Sequence, residues 1–279
     1  VKILFFLTLC TINLLPLPAT ETPSPTYAAN PTYLKVLDAI EHSAMIPGLS
    51  SDTLSTLRHE MKETWNSLNI DHRVQITGTD QDIRPLFVGL QGIIEQVLAN
   101  SLGKDLHLLK GAIHTPMPPT PLCTEGSLSP QLVDPSIEKD PTRLFTVQAR
   151  TIILRDFLAK GGTLYSVYPK NGLNKRTEQQ RAVYQKELLN YPDHLIDAPL
   201  LCEEFPQSLI GATYVFEDDN KELWIFSINM TQAKDPQALG SFGLWFGPIT
   251  HPVIEERLNA LNSYCVQHGF LLMHKLTSN

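Results

Sequence analysis

The sequence predicts an α+β protein, with a helix-rich N-terminal part and a C-terminal antiparallel or mixed sheet packed by helices. Three observations carry that expectation. Apolar residues recur at helical spacing through the first part of the chain. Two strand-like runs, 210–216 and 223–230, flank the polar turn Glu217-Asp218-Asp219-Asn220-Lys221-Glu222, which reads as a hairpin. Helix starts with recognisable caps stand between the apolar runs. The clearest is Thr177, with Gln180 three residues later as a capping box.

The elements follow in chain order. Val1 and Lys2 precede an apolar run from Ile3 to Leu17, and Ala19 and Thr20 supply small residues after it. That layout is a secretory signal peptide over 1–19, cut after Ala19. Thr11, Asn13, Pro16 and Pro18 break the run below the ~20 apolar residues a span needs. A retained anchor is the competing reading. Leu9 before Cys10 argues against lipid modification there. Residues 20–29 form a Pro/Thr/Ser tether.

The helix-rich region covers 30–114. Asn30-Pro31 starts a helix carrying Leu34, Leu37 and Ile40. A second helix opens at Ser50 or Ser51, with Leu54, Leu57, Met61, Trp65 and Leu68 at helical spacing. A short strand spans 73–77, a helix 80–100, and a strand 104–113. Segment 115–141 holds seven prolines, from Pro116 to Pro141, that forbid regular structure. It reads as a linker or long loop before an α+β domain at 142–279.

In that domain Asp140-Pro141 caps a helix through Leu144, Val147, Ile152 and Leu158. A strand at 164–168, a helix from Thr177, the hairpin and a strand at 241–246 follow. His251-Pro252 opens a last helix with Ile254, Leu258, Leu261 and Cys265 on one face. Residues 270–273 read as a terminal strand.

Charge narrows the partners. Lys+Arg 22 against Asp+Glu 29 gives a net charge of −7 with no basic stripe. Nucleic acid is a poor partner for such a surface, because phosphate neutralisation supplies most of that affinity. The leader implies a secreted or periplasmic protein without a stable membrane span once it is cleaved. Cys123, Cys202 and Cys265 remain after cleavage. They are either one disulfide and a free thiol, or three buried small apolar residues; no pairing follows from spacing.

Familiar catalytic motifs are absent. The chain has no Gly-x-Ser-x-Gly elbow, Walker loop, dinucleotide fingerprint, His-Glu-x-x-His or Cys-x-x-Cys. Two features point to binding. Lys170, Lys175 and Arg176 lie just before the capped helix start at Thr177, where free N–H groups and the helix dipole favour an anion. In 240–247, Trp245 shares a strand face with Gly243 and Gly247, which leave room for a ligand or for another backbone. Burial of Trp245 under a helix is the plainer alternative.

Asp193, His194, Cys202, His251 and Glu255 are scattered acid–base and nucleophile candidates without a local catalytic signature. The pairs Asp193/His194 and His251/Glu255 lack the three-ligand spacing of a zinc site. No metal or cofactor is expected. Asn229-Met230-Thr231 matches a glycosylation sequon at the end of an apolar strand, a poor place for a glycan. The preferred expectation is therefore an exported ligand- or partner-binding module with an anion site at 170–177. The alternative is a hydrolase or transferase of an unfamiliar family using those five residues. A structural envelope component would instead show a large apolar patch around 31–68.

Overall fold

The computed structural model describes residues 31–42, 55, 59, 74–78, 80–102, 109–124, 141–231 and 240–272. The leader, the tether, most of the helix expected after Ser50, and residues 125–140 of the proline-rich segment lie outside them. The described residues form an α+β fold built on a seven-stranded mixed sheet. The strands are β1 (Val74–Gly78), β2 (Leu109–His114), β3 (Thr163–Pro169), β4 (Leu195–Leu200), β5 (Gly211–Glu217), β6 (Leu223–Thr231) and β7 (Gly240–Pro248). The helices are α1 (Pro31–His42), α2 (Asp80–Leu102), α3 (Pro141–Ala159), α4 (Glu178–Asn190) and α5 (Pro252–Gln267).

The sheet order is β1-β7-β6-β5-β2-β3-β4. Strands β5, β6 and β7 form an antiparallel meander, as their short connections require. Strands β2, β3 and β4 run parallel, with α3 and α4 as their crossovers. Strand β2, from before the proline-rich segment, pairs with β3 on one side and β5 on the other, both from after it.

Each sheet face has its own apolar core. Helices α1 to α4 cover one face, where Val36, Ile94, Leu98, Phe157 and Tyr184 meet Leu164, Tyr214, Phe226 and Phe246. Helix α5 covers the other, where Ile254, Leu258, Leu261 and Cys265 pack on Val167, Val215, Ile225 and Trp245. The strands buried on both sides are near-continuous apolar runs for this reason. Phe157 fits at the end of α3 because Gly162 lacks a side chain. A Cβ on Gly162 would stand 1.7 Å from the Phe157 ring.

Several expectations need correction. Residues 195–200 are strand β4, not a loop; Asp197 and Pro199 conceal it in the sequence. Pro199 is tolerated because β4 is an edge strand paired only with β3. Residues 270–272 form no strand; the Phe270 N–H is bound to the Cys265 carbonyl at the end of α5. Within 115–141, Thr120–Cys123 form a short 3-10 turn whose Pro121, Leu122 and Cys123 are buried. Thr124 Oγ1 closes this turn onto the Pro121 carbonyl, and Thr151 Oγ1 of α3 donates to the same carbonyl and holds the turn against that helix. Ile152, expected on the apolar face of α3, is 71% exposed. Among the described residues no helix is long and apolar enough to cross a membrane.

Candidate functional site

The basic loop before α4 is divided by burial. Lys170 and Lys175 are exposed. Arg176 is buried, and its guanidinium donates to the Pro118 carbonyl and to Thr120 Oγ1 (3.0 Å). It thus fastens the proline-rich segment to the start of α4. Thr177 forms the full capping box: its Oγ1 accepts from the Gln180 N–H, and its own N–H donates to Gln180 Oε1.

The acid–base candidates sit near element ends: Asp193 and His194 just before β4, Cys202 just after it, and His251 and Glu255 at the start of α5; His194 Nδ1 is buried without a hydrogen-bond partner. Asp193 is exposed, and the His194 carbonyl accepts from the Leu164 N–H. His251 caps α5, its Nδ1 accepting from the Val253 N–H at 3.4 Å. Glu255 is exposed, and its N–H closes the first turn onto the His251 carbonyl. Cys202 is half-buried, and all three described cysteines are free thiols. Among the described residues no group of three or more His, Cys, Asp or Glu is arranged to hold a metal ion.

Buried chemistry lies elsewhere, on the face under α2, α3 and α4. His114, Ser166 and Asp197 are register partners on the adjacent parallel strands β2, β3 and β4. The strand period puts them on one face with Ala112, Leu164 and Leu195. At one end of this row Arg150 makes a two-pronged contact with Glu95, at 2.7 and 3.0 Å, and the Tyr214 hydroxyl donates to the same carboxylate at 2.7 Å. At the other end Tyr168 and Tyr184 both donate to Asp197 Oδ1, at 2.6 and 3.0 Å.

Burial shifts these groups strongly. Desolvation first, then the charge of Arg150, pulls His114 down to about 3, so its imidazole is neutral at physiological pH. Its Nε2 stands 3.9 Å from Glu95 Oε1, beyond hydrogen-bond reach, and has no protein partner. Burial, followed by the Glu95 carboxylate, pushes Tyr214 up. For Arg150, burial opposes the charge, but Glu95 more than offsets it and the guanidinium is held charged. Burial and Asp197 raise both Tyr168 and Tyr184. Ser166 Oγ lies beside the Tyr184 hydroxyl without a well-formed hydrogen bond. The His114 end of this row is sealed, with His114, Ser166, Glu95 and Arg150 all at most 5% exposed, whereas Asp197 is half-buried.

A second polar feature lies on the opposite face, between β5, β6 and α5, where Arg257 is half-buried. Arg257 of α5 lays its guanidinium carbon 3.5 Å from the centroid of Trp245, a cation–π contact. Its Nε points at Ser227 Oγ, 3.4 Å away, and Ser227 is hydrogen-bonded to its cross-strand partner Thr213 at 2.9 Å. Arg257, Ser227 and Thr213 line a cleft with Asn229 and Leu209, with room for little more than one water molecule. Trp245 is 7% exposed, so the indole forms the floor under Arg257 and offers no open platform. The glycine beside it does create space, but the indole fills that space itself. A Cβ at Gly243 would stand 2.9 Å from the Trp245 ring. The Asn229 amide donates to the Ser208 carbonyl at 2.8 Å, which commits this sequon side chain to the fold.

No protein family, no curated protein and no solved structure matches this chain.

Glu95, His114, Arg150, Ser227 and Arg257 belong to no motif in the sequence. A signal existed for two of them. Glu95 interrupts the apolar stripe Ile94, Val97, Leu98, and Arg150 interrupts Val147, Leu154, Leu158. Charges inside such stripes mark buried pairs. Arg257, His114 and Ser227 carried no comparable mark, because their neighbours come from other elements.

Proposed function

We propose that this chain is a binding protein that takes an anionic group, a carboxylate or phosphate carried by a small ligand or a partner segment, at the cleft under α5. One observation supports the reading most: the Arg257 guanidinium, half-buried over Trp245, is aimed at the Ser227–Thr213 hydroxyl pair. A cation partly withdrawn from water beside two hydroxyls favours a compact anion, and the indole holds the guanidinium flat for a two-pronged approach. The cleft holds little more than one water, so the charged group would meet the half-buried guanidinium at the cleft mouth and not inside it. Export through the N-terminal leader is part of the same proposal and sets the encounter outside the cytoplasm.

The basic loop at Lys170, Lys175, Arg176 and Thr177 is the rival location. At that loop Arg176 is engaged by Pro118 and Thr120, and the Thr177 cap occupies the Gln180 N–H; Arg257 likewise has partners in Trp245 and Ser227, and the cleft is favoured for its adjacent hydroxyl pair. The rival function, catalysis by Asp193, His194, Cys202, His251 and Glu255, has less support, since His251 and Glu255 contribute to the first turn of α5.

Thermal shift with inorganic phosphate and with acetate tests the location. The wild type should gain stability, Arg257→Gln should lose that gain, and a Lys170→Ser/Lys175→Ser variant should keep it. An equal gain in Arg257→Gln, or a loss confined to the lysine variant, overturns the cleft assignment.

A further inference from the structure

The segment after β4 is laid along the last turns of α5 by four contacts. The Leu201 N–H donates to the His268 carbonyl at 3.2 Å, and His268 Nδ1 stands 3.2 Å from the Leu201 carbonyl. The Tyr264 hydroxyl donates to the Glu204 carbonyl at 2.9 Å. The Phe205 and Tyr264 rings meet edge to face, with centroids 5.2 Å apart. Two cysteines lie inside this bracket. Cys265 is fully buried in the α5-face core, and Cys202 is half-buried against the same cluster. Both side chains pack on this cluster, on neighbouring stretches that the Leu201–His268 and Tyr264–Glu204 hydrogen bonds hold together.

We propose that Cys202 and Cys265 are a built-in disulfide site, closed by a low-molecular-weight disulfide such as oxidised glutathione, which staples the 201–205 segment to the end of α5. The exchange balances in two steps. The half-exposed Cys202 thiolate attacks one sulfur of the oxidant; the oxidant's S–S bond breaks and one glutathione thiolate leaves. Cys265 then attacks the Cys202 sulfur of the mixed disulfide, and the second glutathione leaves. Two protein thiols lose two electrons and two protons, and one glutathione disulfide becomes two glutathione thiols. Burial, then the neighbouring Cys202, pushes the Cys265 thiol up to about 12. The second step is therefore the slow one and speeds up as pH rises. Cys123 sits in the core of the opposite face, away from both.

The staple has a consequence for the cleft. The same segment continues into the 3-10 turn Gln207–Leu209, and Leu209 is part of the cleft wall. The disulfide itself does not depend on the cleft reading, because the linkage is read without any ligand.

Peptide mapping of the full chain tests it. After incubation with oxidised glutathione, alkylation and digestion without reduction should yield the Cys202 and Cys265 peptides as one species, two hydrogens lighter than their sum. Cys123 should remain alkylated. The melting temperature should rise by several degrees on oxidation, and the rise should vanish with dithiothreitol and in Cys202→Ser. Cys202 is half-exposed, so that variant is the one expected to fold. Full alkylation of both cysteines after oxidation overturns the proposal. So does arrest at a Cys202–glutathione mixed disulfide, or a melting rise that persists in Cys202→Ser.

Discussion

His114 makes the stability of this fold depend on pH in a direction and over a window that its surroundings define. The imidazole is buried, faces Glu95, Arg150 and Tyr214, and is held down to about 3 from an ordinary 6.5. In the unfolded chain it takes up a proton near pH 6.5; in the folded chain it does not until near pH 3. The unfolded state thus binds more protons between these values, and stability falls as pH drops through the window. Above pH 6.5 the contribution is constant. Going down from pH 6.5, each unit costs up to about 1.4 kcal/mol, so by pH 5 the loss from this one group is about 2 kcal/mol. Stopping at pH 5 keeps most carboxylates ionised. Urea denaturation of wild type and His114→Gln at about pH 7.5, 6.5, 5.75 and 5.0 would read the effect. The other histidines are common to both chains and cancel in the difference. The wild-type advantage over the variant should shrink by about 2 kcal/mol across the series. A difference that stays constant from about pH 7.5 to about pH 5, or an NMR titration showing the His114 ring protonated near pH 6 in the folded protein, would falsify the reasoning.

Other perturbations address the rest of the fold. Arg150→Met removes the two-pronged partner of the buried Glu95 carboxylate and leaves it the Tyr214 hydroxyl, and should cost about 3–5 kcal/mol in urea denaturation. Tyr214→Phe removes one charge-assisted hydrogen bond from that carboxylate and should cost about 1–3 kcal/mol. Gly162→Ala drives a methyl into the Phe157 ring and should cost about 1–3 kcal/mol, partly restored by Phe157→Leu in the same chain. Thr177→Ala removes the α4 cap and should cost about 1 kcal/mol, measurable as a lower denaturation midpoint with an unchanged slope.

Much of the architecture was legible because it rests on local chemistry. The Thr177–Gln180 box, the His251-Pro252 start and the 217–222 turn each satisfy their own backbone groups, so they can be read from a few adjacent residues. Strand β4 escaped because its Asp197 and Pro199 look like loop residues. Their tolerance depends on two tyrosines from β3 and α4 and on an unpaired sheet edge, none of which is local. The proline-rich segment reads as a divider for a similar reason. Proline density reports the local backbone and not whether β2 returns to lie between β3 and β5.

The candidate site was less legible than the fold. The glycine beside Trp245 correctly indicated room on that strand face, but the indole's burial was decided by α5. Arg176 looked like part of a solvent-facing cationic loop, and its real partners are Pro118 and Thr120. A cationic side chain's sequence neighbours do not say which way its long stem turns. The Arg257–Ser227–Thr213 arrangement combines one helix with two strands, and only the register of β5 on β6 brings its hydroxyls together.

Pro199 has one further effect. It lies exposed in β4, at the open margin of the sheet, where a bare strand would offer another polypeptide a template for backbone pairing. A proline there withholds an amide donor from any incoming strand and interrupts the ladder. The residue that hid β4 from view thus also guards that flank against accretion of stray chains, and its replacement by valine would expose a continuous seam for self-association.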